Sequence, residues 1–292
     1  MTVTTDDLAP LMERAETLLA RVEQLLSETA PTPDWETHIA FRWRKQARGS
    51  NYLQPVRHPH RLQLQDLQRI EHQKTELERN IRQFLAHRPF NNVLLWGARG
   101  TGKSSLIKAL LNEYAAQSLR LIEVDKHDLM DLPDIVEPLY DRPERFLIYC
   151  DDLSFSADDS GYKALKAVLD GSISAAPDNT MLCVTSNRRH LLPETMAENL
   201  DARIVDGELH HGEAVEEKIS LSERFGLWLS FYPFSQDDYL AIVSHWLNQL
   251  DYRPGLDEQT RKQALQWALA RGSRSGRVAC QFARDWVGRQ DL

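Results

Sequence analysis

Cysteine is scarce: Cys150, Cys183 and Cys280 are the only three in 292 residues. Their odd number and wide spacing exclude a disulfide framework and a CxxC metal or redox site, so they read as reduced, mostly buried thiols. Long apolar runs are missing as well; none approaches the roughly 18 residues that a membrane-spanning helix needs. The first ten residues, MTVTTDDLAP, are polar and acidic where an export signal would be basic and then apolar. The sequence therefore predicts a soluble, cytoplasmic protein. Internal repeats and low-complexity tracts are absent. Positive charge is in deficit, with a net charge of -8. That balance excludes a chain that coats nucleic acid with its whole surface, while leaving room for a local basic patch.

What is present is ordinary globular material, 42% hydrophobic and 27% charged, in a length that accommodates one α/β core with smaller appendages. Leu8, Leu11, Ala15, Leu18, Val22 and Leu25 alternate three- and four-residue spacings, which predicts an N-terminal helix with one narrow apolar seam. Thr4 and Asp7 can open it with a capping box, and Pro31 and Pro33 stop it. The seam suits docking on the chain's own body or a short coiled coil with another subunit.

One absence is local. No acidic residue occurs between Glu36 and Asp66, where Arg42, Arg44, Lys45, Arg48, Arg57 and Arg61 are interleaved with Phe41, Trp43 and Tyr52. Cations and stacking aromatics together suit a nucleic-acid surface. The alternative is an ordered arm whose aromatics pack on the core and whose cations pair with acids elsewhere.

From Leu62 the pattern turns helical, and after Pro89 a short apolar run, Val93 to Trp96, ends in glycine. Four more strand-like runs follow: Leu119 to Val124, Phe146 to Cys150, Met181 to Thr185 and Leu227 to Tyr232. Helical stretches such as Tyr162 to Leu169 separate them, which predicts a parallel sheet covered by helices. Beyond Pro233 the segments DDYLAIVSHWLNQL, DEQTRKQALQWALA and GRVACQFARDWVG all read as helices.

The chemistry begins at the first of those strands. Gly97-Ala98-Arg99-Gly100-Thr101-Gly102-Lys103-Ser104, followed by Ser105, matches GxxxxGK(S/T) between a buried strand and a helix. Glycines let the backbone curl so that its amide hydrogens face a phosphate, and the helix dipole reinforces them. Lys103 supplies a point charge to the β- and γ-phosphates of ATP, and Ser104 a hydroxyl to Mg²⁺. The run Phe146 to Asp152 is an apolar strand ending in two carboxylates, the form of a Walker B element. Asp151 would hold the metal. Asp152 would activate water, although it is one methylene shorter than the glutamate common at that place, which predicts slow or partner-dependent turnover. A helix-capping pair is the alternative reading of the two. Asn187 follows the strand Met181 to Thr185, where a polar side chain can orient water, though asparagine also ends strands as a turn residue. Arg224 ends a helix-like stretch before Leu227, and Arg274 and Arg277 precede the last helix. Plain helix-end arginines are the alternative for these.

In content and order these motifs resemble the AAA+ superfamily from about Leu62 to the C-terminus. More narrowly, FRWR, NNVLLWGARGTGKSSLIKALL, YCDDLSF, TSNRRHLLPE, SLSERFGLWLSFYPF and RSGRVACQFARDW resemble the bacterial predicted-ATPase family called domain of unknown function 815. The resemblance implies an AAA+ fold and ATP binding, with no settled cellular role. It makes Asn187 similar to a sensor 1 residue, Arg224 to an arginine finger acting on a neighbouring subunit, with Arg203 in reserve, and Arg277, ahead of Arg274, to a sensor 2 arginine. The phosphate loop, the Asp-Asp-Leu run and the strand-end asparagine also look like helicase-loader and transposition-helper ATPases, an analogy of fold.

The expected architecture is an α/β P-loop NTPase: a three-layer core with a five-stranded parallel sheet over 62–233, an N-terminal helix and basic arm over 1–61, and a C-terminal helical lid over 234–292. The expected function is an ATP- and Mg²⁺-dependent ATPase that works as a homo-oligomer and remodels a client. A nucleotide-gated nucleic-acid binder using residues 41–61 is the second reading. A P-loop kinase is disfavoured by the inserted strand, the paired aspartates and the helical lid.

Overall fold

The computed structural model describes residues 32–46, 51–155, 177–189 and 221–290. It also describes positions 14, 16, 17, 161, 162, 165, 166, 169 and 191, and the backbone of 203–205 and 208–210. The seam expected over Leu8 to Leu25 lies mostly outside the described residues; positions 14, 16 and 17 are helical. No helix among the described residues is long and apolar enough to cross a membrane.

Nine strands form among the described residues: β1 Ala40–Arg44, β2 Tyr52–Pro55, β3 Val93–Gly97, β4 Leu119–Glu123, β5 Arg145–Cys150, β6 Thr180–Ser186, β7 Arg203–Val205, β8 Glu208–His210 and β9 Leu227–Phe231. Seven of them build one sheet in the order β2-β1-β4-β5-β6-β3-β9, and β7 pairs with β8 apart from it. The five expected strands run parallel in this sheet, and the count of five is corrected to seven. The additional strands come from the basic arm, with β1 parallel to β4 and β2 antiparallel to β1.

The physical reason lies in FRWR itself. Phe41 and Trp43 point into the core at 0% and 7% exposure, while Arg42 and Arg44 are exposed. That alternation is the period of a half-buried strand. The cations are also partnered: Arg42 pairs with Glu123 at 2.6 Å, and Lys45 with Asp128 at 3.1 Å and Asp131 at 3.0 Å. Arg57 and Arg61 remain exposed, and Arg48 lies outside the described residues.

Both faces of the sheet are covered, so the middle runs of its central strands, Val93 to Trp96 in β3, Phe146 to Cys150 in β5 and Met181 to Val184 in β6, are near-continuously apolar. On one face Val93, Leu95, Leu147, Tyr149, Met181 and Cys183 pack against two helices, α1 (Glu71–Leu85) and α2 (Lys103–Tyr114). On the other, Leu94, Ile148, Leu182 and Val184 meet Leu129, Ile135, Leu153 and Phe155, Leu129 from the turn before the short helix α3 (Leu132–Val136) and Ile135 from that helix itself. The helix expected from Leu62 begins later, at Glu71. Gln63 and Asp66 close a separate single turn by reciprocal capping bonds, and Arg69 then takes a positive φ of 66° that interrupts helical continuity.

The C-terminal segments form α4 (Gln236–Gln249), α5 (Glu258–Ala270) and α6 (Gly276–Gln290). Ser235 and Asp257 cap the first two by accepting from the amides of Asp238 and Thr260. These helices share their own core, in which Tyr239, Val243, Leu247, Ala264, Ala279 and Phe282 are buried together.

Candidate functional site

Strand order brings the chemistry together. β6 lies between β3, which ends in the glycine loop, and β5, which ends in the paired aspartates. β4, the strand inserted between them in sequence, sits on the far side of β5. The carboxyl ends of β3, β6 and β5 therefore adjoin, and α2 starts at the same edge. This is the usual place for a ligand in an open α/β sheet.

The loop needs its glycines. Gly97 has φ 131°, and a Cβ there would lie 2.0 Å from the Phe231 carbonyl oxygen. The amide of Ala98 donates to that same oxygen at 2.9 Å, which fastens the loop to β9. At Gly100, with φ 74°, a Cβ would meet the Ser275 hydroxyl at 2.8 Å. The Arg277 amide donates to the Gly100 carbonyl at 3.4 Å. The start of α6 thus rests directly on the loop. Thr101 closes the curl by donating its hydroxyl to the Ala98 carbonyl at 2.8 Å.

Lys103 is only 7% exposed. Its Nζ donates to the carbonyls of Gly97 and Ala98, both at 2.7 Å, and to Asn187 Oδ1 at 3.2 Å. Desolvation lowers its pKa to about 8, and the nearby Asp152 and Asp151 only partly oppose that shift. Ser104 Oγ donates to Asp151 Oδ1 at 2.7 Å. Burial acts to raise the Asp151 pKa, but the hydrogen bonds from Thr185 and Ser104, with the Tyr149 phenol close by, outweigh it and hold the carboxyl below its ordinary value. Asp151 is accordingly an anion with oxygen neighbours. A hydroxyl and one carboxylate side by side suit Mg²⁺, which takes few protein oxygens and completes its shell with phosphate and water. No group of three or more His, Cys, Asp or Glu side chains placed to hold a metal occurs among the described residues.

Asp152 has φ 51°, a left-handed conformation that aspartate tolerates better than most residues. Its Oδ1 accepts from Asn187 Nδ2, and its Oδ2 lies 3.8 Å from the Arg99 guanidinium. Both members of that ion pair are largely exposed, so it contributes little to stability.

These groups line a cleft of about 740 Å³ that continues between residues 60–70 and the C-terminal helices, a size ordinary for a small-molecule site. Gly100, Thr101, Gly102, Ser105 and Arg277 line it as well; Arg274 does not. Nor does Arg224, which is half-buried in the turn before β9. Arg203 is in β7, and its side chain is outside what is described. Arg99, Lys103, Lys108, Arg277 and Arg284 face three carboxylates, Asp66, Asp151 and Asp152. The cleft is thus cationic in a chain whose net charge is -8, as a polyanionic ligand requires.

Sequence reasoning missed the far wall: His60, Leu62, Asp66 and Gln68 on one side, Trp246, Cys280 and Arg284 on the other. The helical spacing Arg277, Cys280, Gln281, Arg284 is the signal that was available, since i, i+3, i+4 and i+7 share a face. It also missed Thr185, whose contacts depend on a strand 34 residues away. Cys150 and Cys183 are buried free thiols, and Cys280 is a partly buried one.

No curated protein matches the chain by sequence. Among solved structures, the Thermotoga maritima RuvB Holliday junction branch migration motor is 15% identical with a TM-score of 0.48, over 76% of this chain and 63% of that one. A point mutant of the same RuvB superposes with a TM-score of 0.50 at 14% identity, over 79% and 67%. The Aeropyrum pernix ORC1 protein in complex with DNA gives 0.51 at 17% identity, over 77% and 62%. The chain therefore spans less than two thirds of the RuvB motor and of ORC1. At such identities the likeness establishes the fold alone, the α/β fold of P-loop NTPases. The model of the family described as "Protein of unknown function (DUF815)" matches residues 36–290, and the chain belongs to that family.

Proposed function

We propose that the chain binds ATP with Mg²⁺ in the cleft and hydrolyses it. The observation that carries this is the convergence of Lys103, Ser104, Asp151, Asp152 and Asn187 at the adjoining ends of β3, β5 and β6. Backbone amides of the glycine loop and the ammonium of Lys103 would hold the phosphates. Ser104 and Asp151 would hold Mg²⁺, which when bound neutralises charge on the phosphates. Asp152 would take the proton from water, with Asn187 orienting its carboxylate. Arg277, at the start of α6 against Gly100, would carry the state of the loop into the lid.

The same reading divides the chain into an N-terminal part, 1–61, a nucleotide-binding core, 62–233, and a lid, 234–292, the first part lending β1 and β2 to the core sheet. We propose a cytoplasmic homo-oligomer in which lid motion remodels a client, a protein or a nucleic acid. Arg224 stands outside its own chain's cleft, as expected for a residue that serves a neighbour. ATP binding by calorimetry and phosphate release, each with and without Mg²⁺, test the reading. Saturable binding and Mg²⁺-dependent release are expected, and absence of binding would overturn it. If Arg224 acts in trans, mixing Arg224→Ala with Lys103→Ala protein restores part of the activity that each lacks alone. Mixed oligomers that assemble and stay inactive would remove that role.

A further inference from the structure

Thr185 is the last but one residue of β6 and is 1% exposed. Its hydroxyl donates to Asp151 Oδ1 at 2.6 Å and accepts from the Asp152 amide at 2.9 Å. Its carbonyl accepts from the Leu153 amide at 2.7 Å. One residue thus holds three consecutive positions just past β5. The register explains why: Cys150 pairs with Val184 in parallel strands, so the next residue of each strand, Asp151 and Thr185, comes level beyond the ladder.

Two consequences follow from the chemistry of a hydroxyl, which donates and accepts at once. Ser104 and Thr185 donate to the same oxygen of Asp151, which fixes the plane of that carboxylate. The bond from the Asp152 amide, with the one from Leu153, holds the left-handed turn at Asp152, φ 51°. A sparsely populated backbone conformation persists where its surroundings over-determine it. Neither valine nor alanine can do this; serine can.

We propose that Thr185 is the positioning residue for both acids, setting the carboxylate that meets Mg²⁺ and the direction of the one that meets water. The proposal rests on the ATP reading above. Groups that orient a metal-binding side chain typically contribute about 10- to 100-fold in metal affinity or activity.

The test compares Thr185→Ser, Thr185→Ala and Thr185→Val with wild type. ATP affinity is measured in excess chelator, the Mg²⁺ concentration for half-maximal tightening of ATP binding is measured next, and kcat last. Chelator-state affinity is expected to stay within about threefold, because the phosphate loop is untouched and loops of this kind bind phosphate by themselves. The Mg²⁺ half-point is expected to rise, and kcat to fall, about 10- to 100-fold in the alanine and valine variants, with serine close to wild type. Should valine fail to fold, serine against alanine still isolates the hydroxyl. Serine as defective as alanine, or alanine matching wild type in Mg²⁺ dependence, would overturn the proposal. Wild-type protein that binds no ATP overturns the ATP reading and this proposal with it.

Discussion

Lys103→Ala is expected to lose nucleotide binding by about 10²- to 10⁴-fold, since two charge-assisted hydrogen bonds to phosphate contribute about 1.5–3 kcal/mol each. The ammonium is already desolvated: it sits against the carbonyls of Gly97 and Ala98, and burial has lowered its pKa to about 8. An arriving phosphate meets a charge that has little hydration left to lose. The pH dependence follows with a definite sign. The charged form binds, so wild-type affinity falls as pH rises through about 8, by up to about tenfold per unit for a single group. The alanine variant lacks this slope. Isothermal titration of ATP at several pH values, with circular dichroism to verify folding, reads both effects. An affinity within about threefold of wild type, or an unchanged slope, would place the phosphates elsewhere in the cleft.

The phosphate loop was legible in the sequence because its chemistry is local. Eight consecutive residues carry the turn, the helix start, the cation and the hydroxyl, and the flanking strand and helix follow from hydrophobic pattern alone. The paired aspartates were legible for the same reason. What pairs with what was not. FRWR advertises its cations, yet its two-residue alternation makes it a strand, and its parallel partner β4 lies some 80 residues away. Attention to charge hid the simpler periodicity. The spatial order of strands was equally closed to inspection. In sequence β4 intervenes between the phosphate loop and the aspartates, whereas in space β6 does. That exchange is what brings Asn187 against Lys103 and Asp152, and Thr185 against Asp151 and Asp152. Each contact joins segments that no spacing rule links. The far wall of the cleft depends further on how α6 is seated on Gly100, a contact between elements about 175 residues apart.

Asp152→Asn is expected to bind ATP within a few-fold of wild type and to hydrolyse it about 10²- to 10⁴-fold more slowly, the range for removing a positioned general base. Asparagine keeps the size, tolerates the left-handed φ of 51° and retains an oxygen for Asn187 Nδ2. The substitution therefore removes basicity with little change of shape. It also weakens the tie to Arg99, 3.8 Å from the carboxylate, but that pair is exposed and its loss is worth about 1 kcal/mol or less. Rapid-quench measurement of a single turnover separates the chemical step from product release, and equilibrium titration reports binding on the same protein. A single-turnover rate equal to wild type would mean that Asp152 does not take the proton, and the shorter side chain would then be better explained as a holder of Asn187. A slow variant has a further use. On the proposed lid motion, a protein that binds ATP and holds it unhydrolysed would stay in its nucleotide-loaded state, and a client that depends on that state would stay attached, to be recovered and identified. Recovery that requires ATP, and that fails in a Lys103→Ala, Asp152→Asn double variant, distinguishes a nucleotide-gated client from a protein that adheres to the surface.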